Sequence, residues 1–335
     1  RPFNVLPKVS ASIAEKVLVF ANENSQKVAV HVRAGKDNLE GTLQLNAPKG
    51  WVVSSPQLFT LERQGETSTL WFTVTPPKNQ SQGYLRPLIQ IGDTYYDKEL
   101  INIDYNHIPY QSVLLPSKAK VVRINIEKKG QHIGYIQGAG DGVGQSLEQI
   151  GYSVTNLDVT EISAQNLKKY DAVVVGVRAY NTIAALAFAQ KELNKYVQAG
   201  GTMVVQYNTS HRLVTKQIAP YALSLSRDRV TDEFAPVTIL DPNHPVLNSP
   251  NKITQVDFKG WVQERGLYFP NKWAEEFTPI LAMNDKGAPQ TKGSLLVARY
   301  GKGHYVYTGL SFFRELPAGV AGAYRLFANI ISIGK

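Results

Sequence analysis

The sequence predicts a two-domain chain, β followed by α/β: an immunoglobulin-like β-sandwich over residues 1–107, then a flavodoxin-like parallel-sheet domain over residues 129–335. Three observations carry that reading. The first part of the chain alternates apolar and polar residues and shows no helical period of useful length. From Gln131 the pattern changes to short aliphatic runs separated by glycine-rich turns and amphipathic stretches. Between the two, His107-Ile108-Pro109-Tyr110 through Pro116-Ser117 puts two prolines where the strand pattern stops.

In the first part, Val28, Val30 and Val32 face one way, with Lys27, His31 and Arg33 among the polar positions. Leu43 and Leu45 repeat the alternation, as do Leu70, Phe72 and Val74 against Thr69, Trp71 and Thr73. Turn signals separate these runs at Gly35-Lys36-Asp37-Asn38, Pro48-Lys49-Gly50, Gln64-Gly65-Glu66 and Pro76-Pro77 through Gly83. Short strands at regular spacing with polar turns describe an antiparallel sandwich. Trp51 and Trp71 read either as core or edge aromatics or as sugar-stacking platforms, with Tyr84, Tyr95 and Tyr96 as further platform candidates.

Residues 108–128 read as a linker with a connecting strand, Val121 to Ile126, that fits either domain. Beyond it, Ile133 to Ile136 is a buried strand entering Gly138-Ala139-Gly140-Asp141-Gly142-Val143-Gly144. A helix over Gln145 to Ile150 follows, closed by Gly151. Ser153 to Leu157, Ala172 to Gly176 and Thr202 to Gln206 are further strands, and Ile183 to Ala199 is an amphipathic helix. Ser294 to Arg299 and His304 to Thr308 flank the hairpin turn Tyr300-Gly301-Lys302-Gly303, and Ala318 to Ile331 is a closing helix. Right-handed crossovers between these strands give the flavodoxin-like layout. Residues 212 to 293 carry many prolines and read as loops with short strands.

Composition excludes several function classes. The 335 residues contain no cysteine, which removes disulfides, thiolate metal sites and a cysteine nucleophile. Net charge is +9, with 15 basic and 11 acidic residues over 1–128 and 21 and 16 over 129–335. That even spread, without a basic stripe interleaved with aromatics, speaks against nucleic acid as a partner. No apolar run approaches the roughly 20 residues of a membrane span. The chain opens on Arg1 and reads as a processed or truncated product.

Motifs narrow the chemistry further. The glycine run is followed by Asp158, at the distance of a ribose-binding acid, but Val143 stands where a dinucleotide fingerprint needs glycine. No cofactor is therefore expected. Gly-x-Ser-x-Gly does not occur, and no histidine pairs at helical metal spacing, so no metal site is expected. Asp241-Pro242-Asn243-His244-Pro245 reads as a structural turn. Ligands of open parallel sheets bind beyond the carboxyl ends of the strands. Those ends supply Asp141, Arg178, Asn181, Asn208, His211 and Ser311, a polar crevice suited to a carboxylate or a sugar. The same groups could equally cap helices and tie loops.

Ile133 to Asp141, Tyr170 to Asn181 and Gly309 to Gly319 resemble the C-terminal region of large bacterial proteins of the PIG-L (LmbE-like) deacetylase family, the Bacteroidetes-type members most of all. In that family an N-terminal zinc deacetylase domain precedes a β-sandwich and a class I glutamine amidotransferase-like domain. The resemblance covers nearly all of this chain and is strongest from residue 105 onward. It implies a secreted or periplasmic protein whose partners are a glycan and the upstream deacetylase domain of the same parent chain. The His-Pro-Asp-Asp type zinc motif of that domain does not occur in this sequence. Working amidotransferases also place a cysteine on a sharp turn after a central strand. The turn after Thr202 to Gln206, at Tyr207 or Asn208, offers a phenol or an amide instead, which cannot form the thioester. The expected role is a non-catalytic accessory region that positions the enzyme or binds glycan. Two alternatives stay open: an independent hydrolase with His211 or His244 as base, and a structural spacer.

Overall fold

The computed structural model describes residues 6–335. The chain divides into two units, Arg1–Asn125 and Ile126–Lys335.

The first unit is a β-sandwich. Its strands are β1 Val9–Ile13, β2 Val17–Phe20, β3 Gln26–Ala34, β4 Leu39–Asn46, β5 Val52–Val53, β6 Gln57–Leu61, β7 Thr67–Thr75, β8 Ser81–Ile91, β9 Thr94–Tyr96, β10 Lys98–Ile103, β11 Gln111–Pro116 and β12 Ala119–Arg123. One sheet runs β1-β3-β7-β5 and the other β2-β12-β8-β4-β6, with β9 paired to β8. The alternation does what a period of two requires: Val28, Val30, Val32, Phe72 and Val74 from the first sheet meet Leu43, Leu45, Leu85 and Ile89 from the second in one buried cluster.

The boundary expected at 107 lies further along. Within residues 108–128, read as a linker with a connecting strand, β11 forms an antiparallel hairpin with β10, Ile103 opposite Gln111, and the connecting strand is β12, which runs between β2 and β8 inside the sandwich. Pro109 sits in the turn of that hairpin and Pro116 closes β11, so neither interrupts a ladder.

The second unit begins with β13 His132–Ile136, α1 Val143–Gln149, β14 Ser153–Asn156, α2 Ala164–Leu167, β15 Ala172–Val175, α3 Ala179–Thr182, α4 Leu186–Gln198 and β16 Thr202–Gln206. After an irregular stretch come β17 Leu223–Val230, β18 Val237–Ile239, α5 Pro245–Asn248, β19 Gly266–Trp273, β20 Phe277–Pro279 and β21 Leu281–Met283. The unit closes with β22 Leu295–Tyr300, β23 Gly303–Thr308, α6 Phe312–Glu315 and α7 Ala321–Ser332. The main sheet has the order β14-β13-β15-β16-β23-β22-β20. Its first five strands are parallel and in the flavodoxin-like order 2-1-3-4-5, and β22 and β20 add an antiparallel edge.

All five residues of β16 are buried, as a central strand covered on both faces must be. Met203 and Val205 pack toward Leu186, Leu193, Tyr196 and Val197 of α4, while Thr202 donates its hydroxyl to the Ile333 carbonyl just after α7 on the other face. Burying a side chain such as Leu193 contributes about 1.5–3 kcal/mol, so these few contacts fix α4 against the sheet. Where one helix over Ile183 to Ala199 was expected, the short α3 precedes α4, with Ile183 extended between them. The Asp241 to Pro245 segment is the turn the prolines imply, and His244 caps α5 by accepting from the Val246 amide at 3.2 Å.

Candidate functional site

The carboxyl ends of the parallel strands gather the loops after β13, β15, β16 and β23. Two glycines set how closely the first two approach. A Cβ on Gly138 would lie 2.1 Å from the Val177 carbonyl oxygen, and one on Gly176 would lie 2.9 Å from the Gly138 nitrogen. The loops therefore pack backbone on backbone, and the Ala139 amide donates to that Val177 oxygen at 2.9 Å. Asp141 ties the corner: its carboxylate accepts from the Val143 amide at 3.0 Å, from the Val177 amide at 3.1 Å and from the Tyr135 hydroxyl. Burial, then the Asp141 charge beside it, pushes the Tyr135 phenol far above its usual range. Tyr135 in turn accepts from the Gln206 amide at 3.2 Å. Asp141 is thus a structural carboxylate.

Three other expected ligands are spent in the same way. Asn208 is fully buried; its side-chain oxygen accepts from the Tyr180 amide at 2.9 Å and its nitrogen donates to the Gln206 carbonyl at 2.9 Å. Asn181 donates to the Thr209 and His211 carbonyls at 3.2 and 3.0 Å and accepts from the Thr209 amide at 2.9 Å. Ser311, also buried, donates its hydroxyl to the Glu264 carbonyl at 2.6 Å. These groups cap and tie, as small polar side chains at loop ends commonly do. The bonds they already make fix their orientation, and Asn208 and Ser311 are fully buried as well.

What remains open is Arg178 and His211, both exposed; Arg178 lies beside Tyr207, which stands in an aromatic group whose other members the sequence did not point to. Tyr207 stacks nearly parallel on Tyr268, centroids 6.2 Å apart, and leans on Phe313 at 5.1 Å. Arg314 lies over the Phe313 ring at 4.9 Å and donates to the Glu264 carboxylate at 2.8 Å. The Tyr207 phenol is raised above its usual value by burial, while the nearby Arg178 and Arg314 charges pull it back. Arg178 is joined to this shelf through its backbone, its amide donating to the Tyr207 carbonyl at 2.8 Å.

The backbone around the shelf is strained. Among the described residues five that are not glycine have positive φ, and three of them are tied to this site: Tyr268 at 52° is one of its rings, Gln263 at 68° accepts from Arg314, and Arg178 at 57° donates its amide to the Tyr207 carbonyl. A left-handed conformation costs a residue with a Cβ about 1–2 kcal/mol, and such strain persists only where surroundings enforce it. Arg178 sits in the sharp turn from β15 into α3. The strand-to-helix turn expected after β16, at Tyr207 or Asn208, is not there, because β16 leads into an irregular stretch with no helix.

The two tryptophans part company. Trp51 is only 7% exposed, packs edge-on against Phe20 at 5.0 Å and donates its indole N–H to Ser81 at 3.1 Å, so it offers no face to a sugar. Trp71 is 56% exposed on the outer face of its sheet, where its cross-strand partner is the small Ala29. Beside it His31 and Thr69, also paired across the strands, hydrogen-bond at 2.9 Å. Among the described residues no group of three or more metal-ligating side chains occurs, and no helix is long and apolar enough to cross a membrane.

No family model matches the chain, and no curated protein matches it. Among solved structures it is similar to a Thermoplasma acidophilum protein provisionally assigned as part of a GMP synthase, with 11% identity over 61% of this chain and 96% of that one and a TM-score of 0.40. It is also similar to a ThuA-like protein from Bacteroides uniformis, with 13% identity over 60% of this chain and 89% of that one and a TM-score of 0.40. An exo-beta-1,4-mannosidase from an Opitutaceae bacterium is similar over 60% of this chain and 36% of its own, at 11% identity and a TM-score of 0.35.

Proposed function

We propose that this chain is a glycan-binding accessory region, holding its ligand on the half-buried rings of Tyr268 and Phe313, which the buried Tyr207 backs, with Arg178 as the polar anchor. The observation that supports it is the concentration of left-handed residues around that shelf. Strain of this kind clusters where a surface is held preformed for a ligand, and three such residues, Arg178, Gln263 and Tyr268, meet here. Aromatic rings stack on the C–H faces of sugars, and an exposed guanidinium supplies donors to hydroxyls or a carboxylate. Trp71 offers a second stacking face on the sandwich.

The parallel strand order and the left-handed residue between a central strand and its helix support placing the second unit among class I glutamine amidotransferase-like folds. On that reading a guanidinium, Arg178, occupies the turn where a working member carries its thiol. The two facing sheets, antiparallel except where β12 runs parallel to β2, support an immunoglobulin-like description of the first unit. Together with the resemblance to PIG-L family proteins, this order of units favours an accessory role in a secreted or periplasmic sugar deacetylase. The hydrolase alternative is weaker at His211, whose exposed imidazole makes no hydrogen bond among the described residues that would fix its tautomer. The test is a glycan array probed with the wild-type chain and with Tyr268→Ala. Binding by the wild type that Tyr268→Ala loses, with an unchanged melting temperature, supports the proposal. Equal binding by both, or turnover of an N-acetyl sugar by the wild type, overturns it.

A further inference from the structure

The opposite edge of the same sheet, at the amino ends of the parallel strands, holds a second opening. A cleft of about 470 Å³ is lined by His244, Glu276, Thr278, Val297, Arg299 and His304 among others. The topology explains why these residues meet. Arg299 on β22 lies directly opposite His304 on β23, so their side chains share one face of the sheet. Val297 and Thr278 continue that face across β22 and β20. The loop before α5 brings His244 to it from outside the sheet. Gly334 closes the far wall, so tightly that a Cβ there would lie 2.7 Å from the His304 Nδ1.

The donors in this cleft are unspent. Arg299 uses Nε on the Gly301 carbonyl at 3.3 Å, and its two terminal nitrogens have no partner among the described residues. Neither ring nitrogen of His304 has one. His244 accepts at Nδ1 from the Val246 amide, which leaves its proton on Nε2. Both imidazoles are held below their usual value. Burial does this to His244 against the pull of Asp241; for His304 it is burial, then Arg299 and His244. The remaining charges at the cleft are Glu276, exposed at the rim, and Lys335, whose ammonium faces Asp171 at 3.6 Å.

We propose that this cleft binds a small ligand through one compact anionic group, a carboxylate or a phosphate monoester. The open fork of Arg299 takes the anion, and His304 and His244 close on it as N–H donors. A planar guanidinium with two free terminal nitrogens matches the paired oxygens of either group. The bound anion favours the imidazolium form of His304, so a carboxylate ligand binds more tightly as pH falls through the histidine range, while His244 keeps Nδ1 on the Val246 amide and donates from Nε2. Glu276 at the rim selects against polyanions.

The test titrates the whole 335-residue chain by calorimetry with orthophosphate and, separately, with glucuronate. The glucuronate series is run at about pH 6 and about pH 8, on either side of the ordinary histidine pKa. Saturable binding of either probe, weakened roughly tenfold or more in Arg299→Gln with an unchanged melting temperature, supports the site. Phosphate alone identifies a phosphoryl site and glucuronate alone a carboxylate site. In either case the imidazole NMR signals of His244 and His304 shift while that of the exposed His107 stays put. The proposal is overturned if neither probe binds at about 10 mM, if Arg299→Gln binds as the wild type does, or if the shifts appear elsewhere.

Discussion

The Arg178 amide donates to the Tyr207 carbonyl at 2.8 Å, and this bond locks a left-handed arginine against the inner edge of an aromatic shelf. The arginine cannot relax toward an ordinary conformation without breaking the contact between the β15 and β16 loops. Its side chain is left exposed at the carboxyl edge of the sheet.

Glycine adopts positive φ without the Cβ penalty. Arg178→Gly is therefore expected to leave the fold intact and to raise stability by up to about 1 kcal/mol, read as an unchanged or higher melting temperature. A clear loss of stability would mean that the guanidinium itself supports the fold.

Asn208 behaves in the opposite way. Asn208→Ala would strand the Tyr180 amide and the Gln206 carbonyl in a fully buried place. Each buried polar group left without a partner costs about 1–3 kcal/mol, so chemical denaturation should show a loss of roughly 2–5 kcal/mol. A change under about 0.5 kcal/mol would show that water reaches the site.

Glu315 gives a pH signature. It is fully buried, accepts from the Val262 amide at 2.9 Å, and burial pushes its carboxyl up to about 8, against which Val262 and Arg265 pull. A folded-state pKa above the unfolded value means that the native state holds the proton more tightly. The stabilisation is complete at low pH and is lost as pH rises through about 8. Wild type should therefore lose denaturation midpoint between about pH 5 and pH 8, where only the native state holds the proton, more steeply than Glu315→Gln, and the two profiles should run parallel above that range. Parallel profiles within that range would refute the assignment.

The tryptophans separate core from surface. Trp51→Ala should cost about 3–5 kcal/mol through the cavity it leaves against Phe20. Trp71→Ala should stay within about 0.5 kcal/mol in stability while reducing any glycan affinity of the sandwich. Equal losses in both would contradict the burial difference.

Much of the fold was legible in the sequence because burial imprints a period. The strands around Val28 to Val32 and Leu70 to Val74 have one buried face, and Thr202 to Gln206 has two, so each announces itself. The β10–β11 hairpin did not, because β11 is exposed or half-buried throughout and its prolines imitate a linker. At the site, the rule that ligands gather at strand ends points to Arg178, Asn181, Asn208, His211 and Ser311, all of which lie in the loops after the parallel strands. It could not tell which of them had already spent their hydrogen bonds, since that depends on partners such as Tyr180 and Glu264 brought in by the fold. Tyr268 and Phe313 left no local signal: they reach Tyr207 from β19 and α6, elements that only tertiary packing brings beside it.

The central claim is tested most directly by calorimetric titration of wild type and Arg178→Gly with the glycan that an array selects. The account expects saturable binding by the wild type and its loss in Arg178→Gly, while the melting temperature of the variant holds or rises. Undiminished binding by Arg178→Gly would contradict it.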